Sequence, residues 1–145
     1  MHCIPISLVA ITIMAGLSAF MCQVQIPEEG RHWIVGETYH VHIVNGLEKR
    51  PKLMKVHCRS ADDDLGTHVL WVDQEYFWRF KINVFGSTLF YCDVKRGQRP
   101  KHFVAFNTSV EGLSCFKTGQ CYWLIADKGF YFSMDDYTWE KKFGW

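Results

Sequence analysis

Histidines, cysteines and a run of aspartates are the residues of this 145-residue chain that could do chemistry, and it holds seven histidines and six cysteines. His40 and His42 stand two apart, which on a strand puts both imidazoles on one face and within reach of one metal ion. A structural zinc site needs four ligands and a catalytic one three plus an open position, and spacing supplies no third here. A solvent-facing strand edge explains the pair. His32, His57, His68 and His102 would suit acid–base hydrolysis of the nuclease type, in which two histidines share the proton transfers. No spacing couples any two of them, and there is neither a Gly-x-Ser-x-Gly elbow nor a P-loop. Asp62, Asp63 and Asp64 offer carboxylates to calcium, but three adjacent ones cannot all face one ion and the alternating ligand spacing is missing. They suit a turn whose side chains satisfy backbone amides ahead of a permissive Gly66. The expectation is a protein without enzymatic activity, metal or cofactor, with a secreted histidine-dependent hydrolase as the alternative.

The remaining cysteines depend on where the chain goes. Residues 4–20 are almost continuously apolar, no Lys, Arg, Asp or Glu precedes Glu28, and small residues follow at Ala15, Gly16, Ser18 and Ala19. That pattern predicts a secretory signal peptide over residues 1–22, although the usual basic start is replaced by His2 alone. No second run of that length follows, so no integral membrane segment is expected after cleavage, and residues 23–145 form one exported domain. Four cysteines then remain, Cys58, Cys92, Cys115 and Cys121, an even number that predicts two disulfides. Three connectivities are open, and the nested one, Cys58 with Cys121 and Cys92 with Cys115, is the expectation. A net charge of +1 gives no excess of cation for a nucleic-acid partner.

The elements that position these residues read as strands. Tyr39, Val41 and Ile43 alternate with His40 and His42, and Met54, Val56 and Cys58 alternate with Lys55, His57 and Arg59. Residues 67–72 are a short apolar run. Over residues 75–84, Tyr76, Trp78, Phe80, Ile82 and Val84 recur at spacing two, which a helix would scatter. Residues 88–94 place Phe90, Cys92 and Val94 on one face, 103–106 is short, 121–125 and 130–133 flank a hairpin turn at Asp127-Lys128-Gly129, and 137–145 is a last candidate. About eight short strands without an amphipathic helix predict an all-β, antiparallel, disulfide-stabilised β-sandwich. Residues 23–36 read as an arm and 110–119 as a loop.

Two surface features carry recognition. Asn107-Thr108-Ser109 is an N-glycosylation sequon, and the basic loop holding Lys95, Arg96, Arg99, Lys101 and His102 is the candidate partner-binding site, since binding concentrates on loops held by a rigid scaffold. Val41 to Leu47, then His57-Cys58-Arg59-Ser60 with Asp62 to Gly66, then Thr88 to Cys92, and last Cys121-Tyr122-Trp123 with Gly129 together resemble the plant self-incompatibility S-protein homologue family. The resemblance runs from about residue 39 to 132. It implies a small secreted β-sandwich with disulfides, no known enzymatic activity, and a role as an extracellular ligand. Founding members are pistil-side determinants recognised by a membrane protein of incompatible pollen, so a cell-surface receptor is the implied partner. Asp73 departs from the family's Gly or Pro character in the turn before Tyr76, and the aromatic tail from Trp139 to Trp145 is a second departure. A carbohydrate-binding defence protein using that tail is a further possibility.

Overall fold

The computed structural model describes residues 35–145, so the expected signal peptide, His32, Cys3 and Cys22 lie outside the described residues. Nine strands follow in order: β1 Thr38–Gly46, β2 Met54–Arg59, β3 Asp64–Leu70, β4 Glu75–Lys81, β5 Leu89–Arg96, β6 Arg99–Asn107, β7 Gln120–Ala126, β8 Gly129–Ser133 and β9 Glu140–Phe143. They form a five-stranded sheet, β4-β1-β7-β8-β9, packed on a four-stranded one, β3-β2-β5-β6. The period-two pattern places them. Along β1 every second residue is buried, which puts Tyr39, Val41 and Ile43 inside and His40 and His42 outside. A slip of one residue would exchange the two sets, so burial sets the register.

The all-β sandwich stands, with one correction. Strands β1 and β7 pair parallel, Val41 opposite Cys121 and Ile43 opposite Trp123. The connection from β6 is the reason: it passes through a single π-helical turn, Thr108–Gly112, at the end of the sandwich where β1 also begins. Strand β7 therefore enters beside β1 and runs the same way. The Tyr39 hydroxyl donates to the Gly112 carbonyl at 2.9 Å, which ties this turn to β1. Residues 110–119, expected as a loop, thus begin in helical backbone, and the Glu111 carboxylate closes the turn by accepting from the Asn107 amide. Burial raises the Glu111 carboxyl above its ordinary value against that opposing hydrogen bond.

The disulfides also differ from the nested expectation. Cys58 is bonded to Cys92 and Cys115 to Cys121. Cys58 and Cys92 lie directly opposite on β2 and β5 with Cα atoms 4.0 Å apart, so only each other is within reach. Cys115 sits in the crossover just before β7 and closes a short local loop on Cys121.

Two turn positions carry more than their composition suggested. Asn45 is fully buried at the end of β1; its amide group donates to the Leu70 and Lys52 carbonyls at 2.8 and 2.9 Å, and its side-chain oxygen accepts from the Leu47 amide at 3.0 Å. It joins β1, the loop after it and the end of β3. Asn45→Ala is expected to cost about 2–3 kcal/mol in denaturant unfolding, because buried backbone groups lose their partners. Asp73 takes φ +63°, a left-handed conformation, while its amide donates to the Asn45 carbonyl at 2.7 Å. That backbone explains why glycine suits this turn. Asp73→Gly should raise the melting temperature, by about 1 kcal/mol of stability, with the hydrogen bond retained.

Candidate recognition surface

The basic segment between β5 and β6 is a tight hairpin rather than a loop, with Arg96 opposite Arg99 and Gly97 at φ +56° in the turn. Strand alternation then sorts its side chains. Lys95 and His102 point outward on the solvent face of the four-stranded sheet. Arg96 points inward and is only 8% exposed. Its guanidinium lies 2.5 Å from Asp127 Oδ1 and donates to the Lys49 carbonyl at 3.1 Å. The other Asp127 oxygen accepts from the Glu48 and Lys49 amides. Burial works against ionisation of Asp127, but those amides and Arg96 outweigh it and hold the carboxyl below its ordinary value.

The tail covers this cluster. Trp145 donates its indole N–H to the Ala126 carbonyl at 2.8 Å and packs edge-on against Phe130. The Arg96 and Arg99 guanidinium groups lie 5.9 and 6.0 Å from its ring, and Lys101 Nζ lies 5.4 Å from the Phe143 ring. Of the five expected partner-binding residues, Lys95 and His102 face solvent, Arg99 and Lys101 lean on tail aromatics at the sandwich edge, and Arg96 is corrected to a buried structural ion pair.

Outside, the sheet builds a feature that sequence spacing did not reveal. His57 on β2 faces Asp93 on β5, and Asp93 faces His102 on β6, so two histidines flank one carboxylate in a single row. His102 Nδ1 is 2.7 Å from Asp93 Oδ1, and Arg59 donates to the other Asp93 oxygen at 3.0 Å. His57 Nε2 lies 2.5 Å from Asp64 Oδ1, an oxygen that also accepts from the Gly66 amide. That amide first, then His57, lowers the Asp64 carboxyl from its ordinary value. Asp64 alone thus gives the expected side-chain bond to a turn amide, ahead of Gly66 at φ +74°, whereas the Asp62 and Asp63 amides donate to the Ser60 hydroxyl. Lys55, Lys95, Thr67 and Pro100 complete a shallow open groove of about 450 Å³ over this row.

His40 and His42 lie on the outer face of the other sheet. His42 Nδ1 is 2.7 Å from Glu75 Oε1 and Nε2 is 2.7 Å from Gln120 Oε1, while the Gln120 amide reaches His40 at 3.1 Å. Gln120 therefore occupies the place a shared metal would take. No group of three or more His, Cys, Asp or Glu side chains suited to a metal ion occurs among the described residues. What the sequence missed is mostly acidic: Asp93 carried no motif and Asp127 stood only as part of a hairpin turn, and the fold alone brings them to their basic partners.

A sequence model described as plant self-incompatibility protein S1 matches residues 40–145. The chain belongs to that family. Among relatives, S-protein homolog 24 of Arabidopsis thaliana is 29% identical over 131 residues, covering 90% of this chain and 82% of its own length. S-protein homolog 21 of the same plant is 31% identical over 105 residues, covering 70% of this chain and 78% of its own. A solved structure described as that of SPH (self-incompatibility protein homologue) proteins, "a widespread family of small, highly stable, secreted proteins from plants", superposes with a TM-score of 0.57 at 18% identity. It covers 74% of this chain and 93% of its own, and supports the two-sheet fold. Several residues that carried the resemblance in the sequence build the frame: Asn45 at the end of β1, the Cys58–Cys92 bridge, and the Cys121 to Trp123 stretch of β7.

Proposed function

We propose that this S1-family protein is a secreted, non-enzymatic ligand that acts in cell–cell recognition by binding a cell-surface protein through the β5–β6 hairpin and the adjoining outer face of the four-stranded sheet. One observation carries the reading: Lys95 on β5 and Arg99 and His102 on β6 are presented by the paired strands of a tight hairpin that Arg96, Asp127 and Trp145 clamp from beneath, so little ordering cost attends recognition. Secretion fits the two bridged cysteine pairs, because disulfides persist in oxidising compartments. No helix among the described residues is long and apolar enough to cross a membrane. Neither nucleic acid nor a cofactor enters this reading. The Asn107 sequon lies at the opposite end of β6, where a glycan would leave the hairpin clear.

Binding of labelled protein to intact cells is the test. Combined Lys95→Glu, Arg99→Glu and His102→Gln changes should weaken saturable binding about tenfold or more, with melting little changed, since rim charges govern association rather than the fold. Unaltered binding removes the hairpin from the site. A second reading, a histidine-dependent hydrolase, is favoured by the His57–Asp93–His102 row alone. Nuclease turnover by disulfide-intact protein that vanishes in both His57→Ala and His102→Ala would replace the ligand reading. The tail aromatics support a carbohydrate site less well, because Trp145 is held against Phe130 and two arginines.

A further inference from the structure

The two ends of the sandwich differ in character. The Arg96 end is charged and tied by ion pairs. The opposite end, formed by residues 60–63, 82–88, 108–119 and 134–139, gathers most of the large apolar side chains that the described residues leave exposed. Val84 and Phe85 are 78% and 87% exposed at the tip of the β4–β5 connection, and Leu89, Val110, Leu113 and Phe116 are exposed beside them. Met134 and Tyr137 extend the set across the last of these loops. The loops are joined: Thr108 donates from both its amide and its hydroxyl to the Thr88 carbonyl, and the Thr118 hydroxyl bonds to the Met134 carbonyl. These bonds link residues 82–88, 108–119 and 134–139 in series.

Val84 is the last of the five residues at spacing two that predict a strand over 75–84, and that strand would place it with Trp78 and Ile82. It does not lie with them, because β4 ends at Lys81 and the chain turns at Asn83. Asn83 accepts from the Ser87 amide through its side chain at 2.9 Å, donates its own amide to the Thr88 hydroxyl at 2.9 Å, and accepts from the Gly86 amide through its carbonyl at 2.9 Å. These bonds fix a short turn whose two middle side chains have only solvent to point into. An apolar pair held outward by a closed network of polar contacts is a preorganised feature, since burying the pair would require those bonds to break. Contiguous exposed apolar surface of this kind marks an interaction site.

We infer that this end seats on the interface of a zwitterionic lipid bilayer, with Val84 and Phe85 inserted among the headgroups. The exposed apolar side chains stand on several linked loops, so this end suits a deformable surface better than a single rigid groove on a protein partner. Its loops carry Asp62, Asp63, Asp135 and Asp136 against one lysine, Lys117, while Glu111 is buried. The Thr138 and Tyr137 amides drive the Asp135 carboxyl far below its ordinary value, so that charge persists into strong acid. An acidic rim repels anionic lipids and complements the outward choline ammonium of phosphatidylcholine. Apolar insertion with an acidic rim therefore distinguishes this seat from basic, charge-led membrane binding.

Flotation of the secreted, disulfide-bonded protein, as exported without the apolar leader, with phosphatidylcholine vesicles tests the inference. A glycan on Asn107 would stand at the rim, so protein whose mass shows no N-glycan is used. Co-flotation that is insensitive to added salt and falls when phosphatidylserine is mixed in is expected. Val84→Ser with Phe85→Ser should lower the vesicle-bound fraction about tenfold, because both inserted apolar side chains are replaced by hydroxyls that prefer water. Melting of that variant should match the parent, and the triple change at Lys95, Arg99 and His102 should leave flotation intact. Absence of flotation, equal flotation by the serine variant, or a parent dimer that the serine variant converts to monomer would each overturn the seat, the last by showing a second copy as the occupant. None of these outcomes depends on the hairpin's partner.

Discussion

Arg96→Glu is expected to destabilise the protein by about 3–5 kcal/mol, while Arg99→Glu, three residues away on the same hairpin, changes stability by less than about 1. The reversal places a second carboxylate beside Asp127, removes the donor to the Lys49 carbonyl, and strips the cation from beneath Trp145. Urea unfolding of the two variants checks the contrast. Equal midpoints would mean that Arg96 is as solvated as its neighbour. Acid adds a second check. The folded-state carboxyl of Asp127 is lowered, so its contribution is present above its ordinary value of 3.8 and is lost as pH falls through the depressed one. An Asp127→Asn variant should lack that part of the acid sensitivity. For binding, the consequence is that Arg96 belongs to the frame beneath the hairpin, and a change there confounds recognition with folding.

The strands were legible in the sequence because one face of each is buried, and burial imposes a period of two that the residues themselves record. Tyr39, Val41 and Ile43, and Phe90, Cys92 and Val94, could be placed inward without knowing their neighbours. Where a strand stops is a different matter. Val84 continues the alternation of Trp78, Phe80 and Ile82 in type and spacing, yet Asn83 finds hydrogen-bond partners in Ser87 and Thr88 and the backbone leaves the sheet. Arg96 is the reverse case. A charged residue near a glycine turn resembles a loop residue, and its burial depends on Asp127, 31 positions later in sequence, which local pattern does not contain.

The surface row was illegible for the same reason. His57, Asp93 and His102 are brought together by pairing register across three strands; His57 is distant in sequence from both, and Asp93 faces His102, nine positions later, only through the register of the β5–β6 hairpin. The parallel pair of β1 and β7 likewise depends on the end at which the crossover turn closes. Family resemblance supplied the general architecture, whereas the distribution of groups between hairpin, groove and apolar end comes only from coordinates. That distribution separates the residues that hold the frame, such as Asn45, from those left to meet a partner.

Removing the Cys58–Cys92 bridge by a double alanine change is expected to cost about 4 kcal/mol, against about 2 for the Cys115–Cys121 bridge, from the chain entropy each closure removes in the unfolded state. The two loops differ in length, 34 residues of separation against 6, and the difference survives even if both values are overstated by the same native-state term. Loss of the first should approach the whole of a small domain's stability, so it is expected to unfold near physiological temperature, while loss of the second leaves a folded protein with a loosened crossover. Non-reducing peptide mapping fixes the connectivity, and calorimetry of the two double variants gives the order. A result in which the short bridge mattered more would point to its native contacts around Glu111 and Tyr39 rather than to loop closure. The opening strands of the four-stranded sheet depend on the long bridge in a further way. Cys58 and Cys92 join the central pair β2 and β5, which carry Lys55, His57, Asp93 and Lys95 of the groove and lie between β3 and β6, which carry the rest. Its removal should therefore disturb the His57–Asp93–His102 row before it reaches Asn45 or the Trp145 end, a sequence that hydrogen exchange at the β2 and β5 amides can follow.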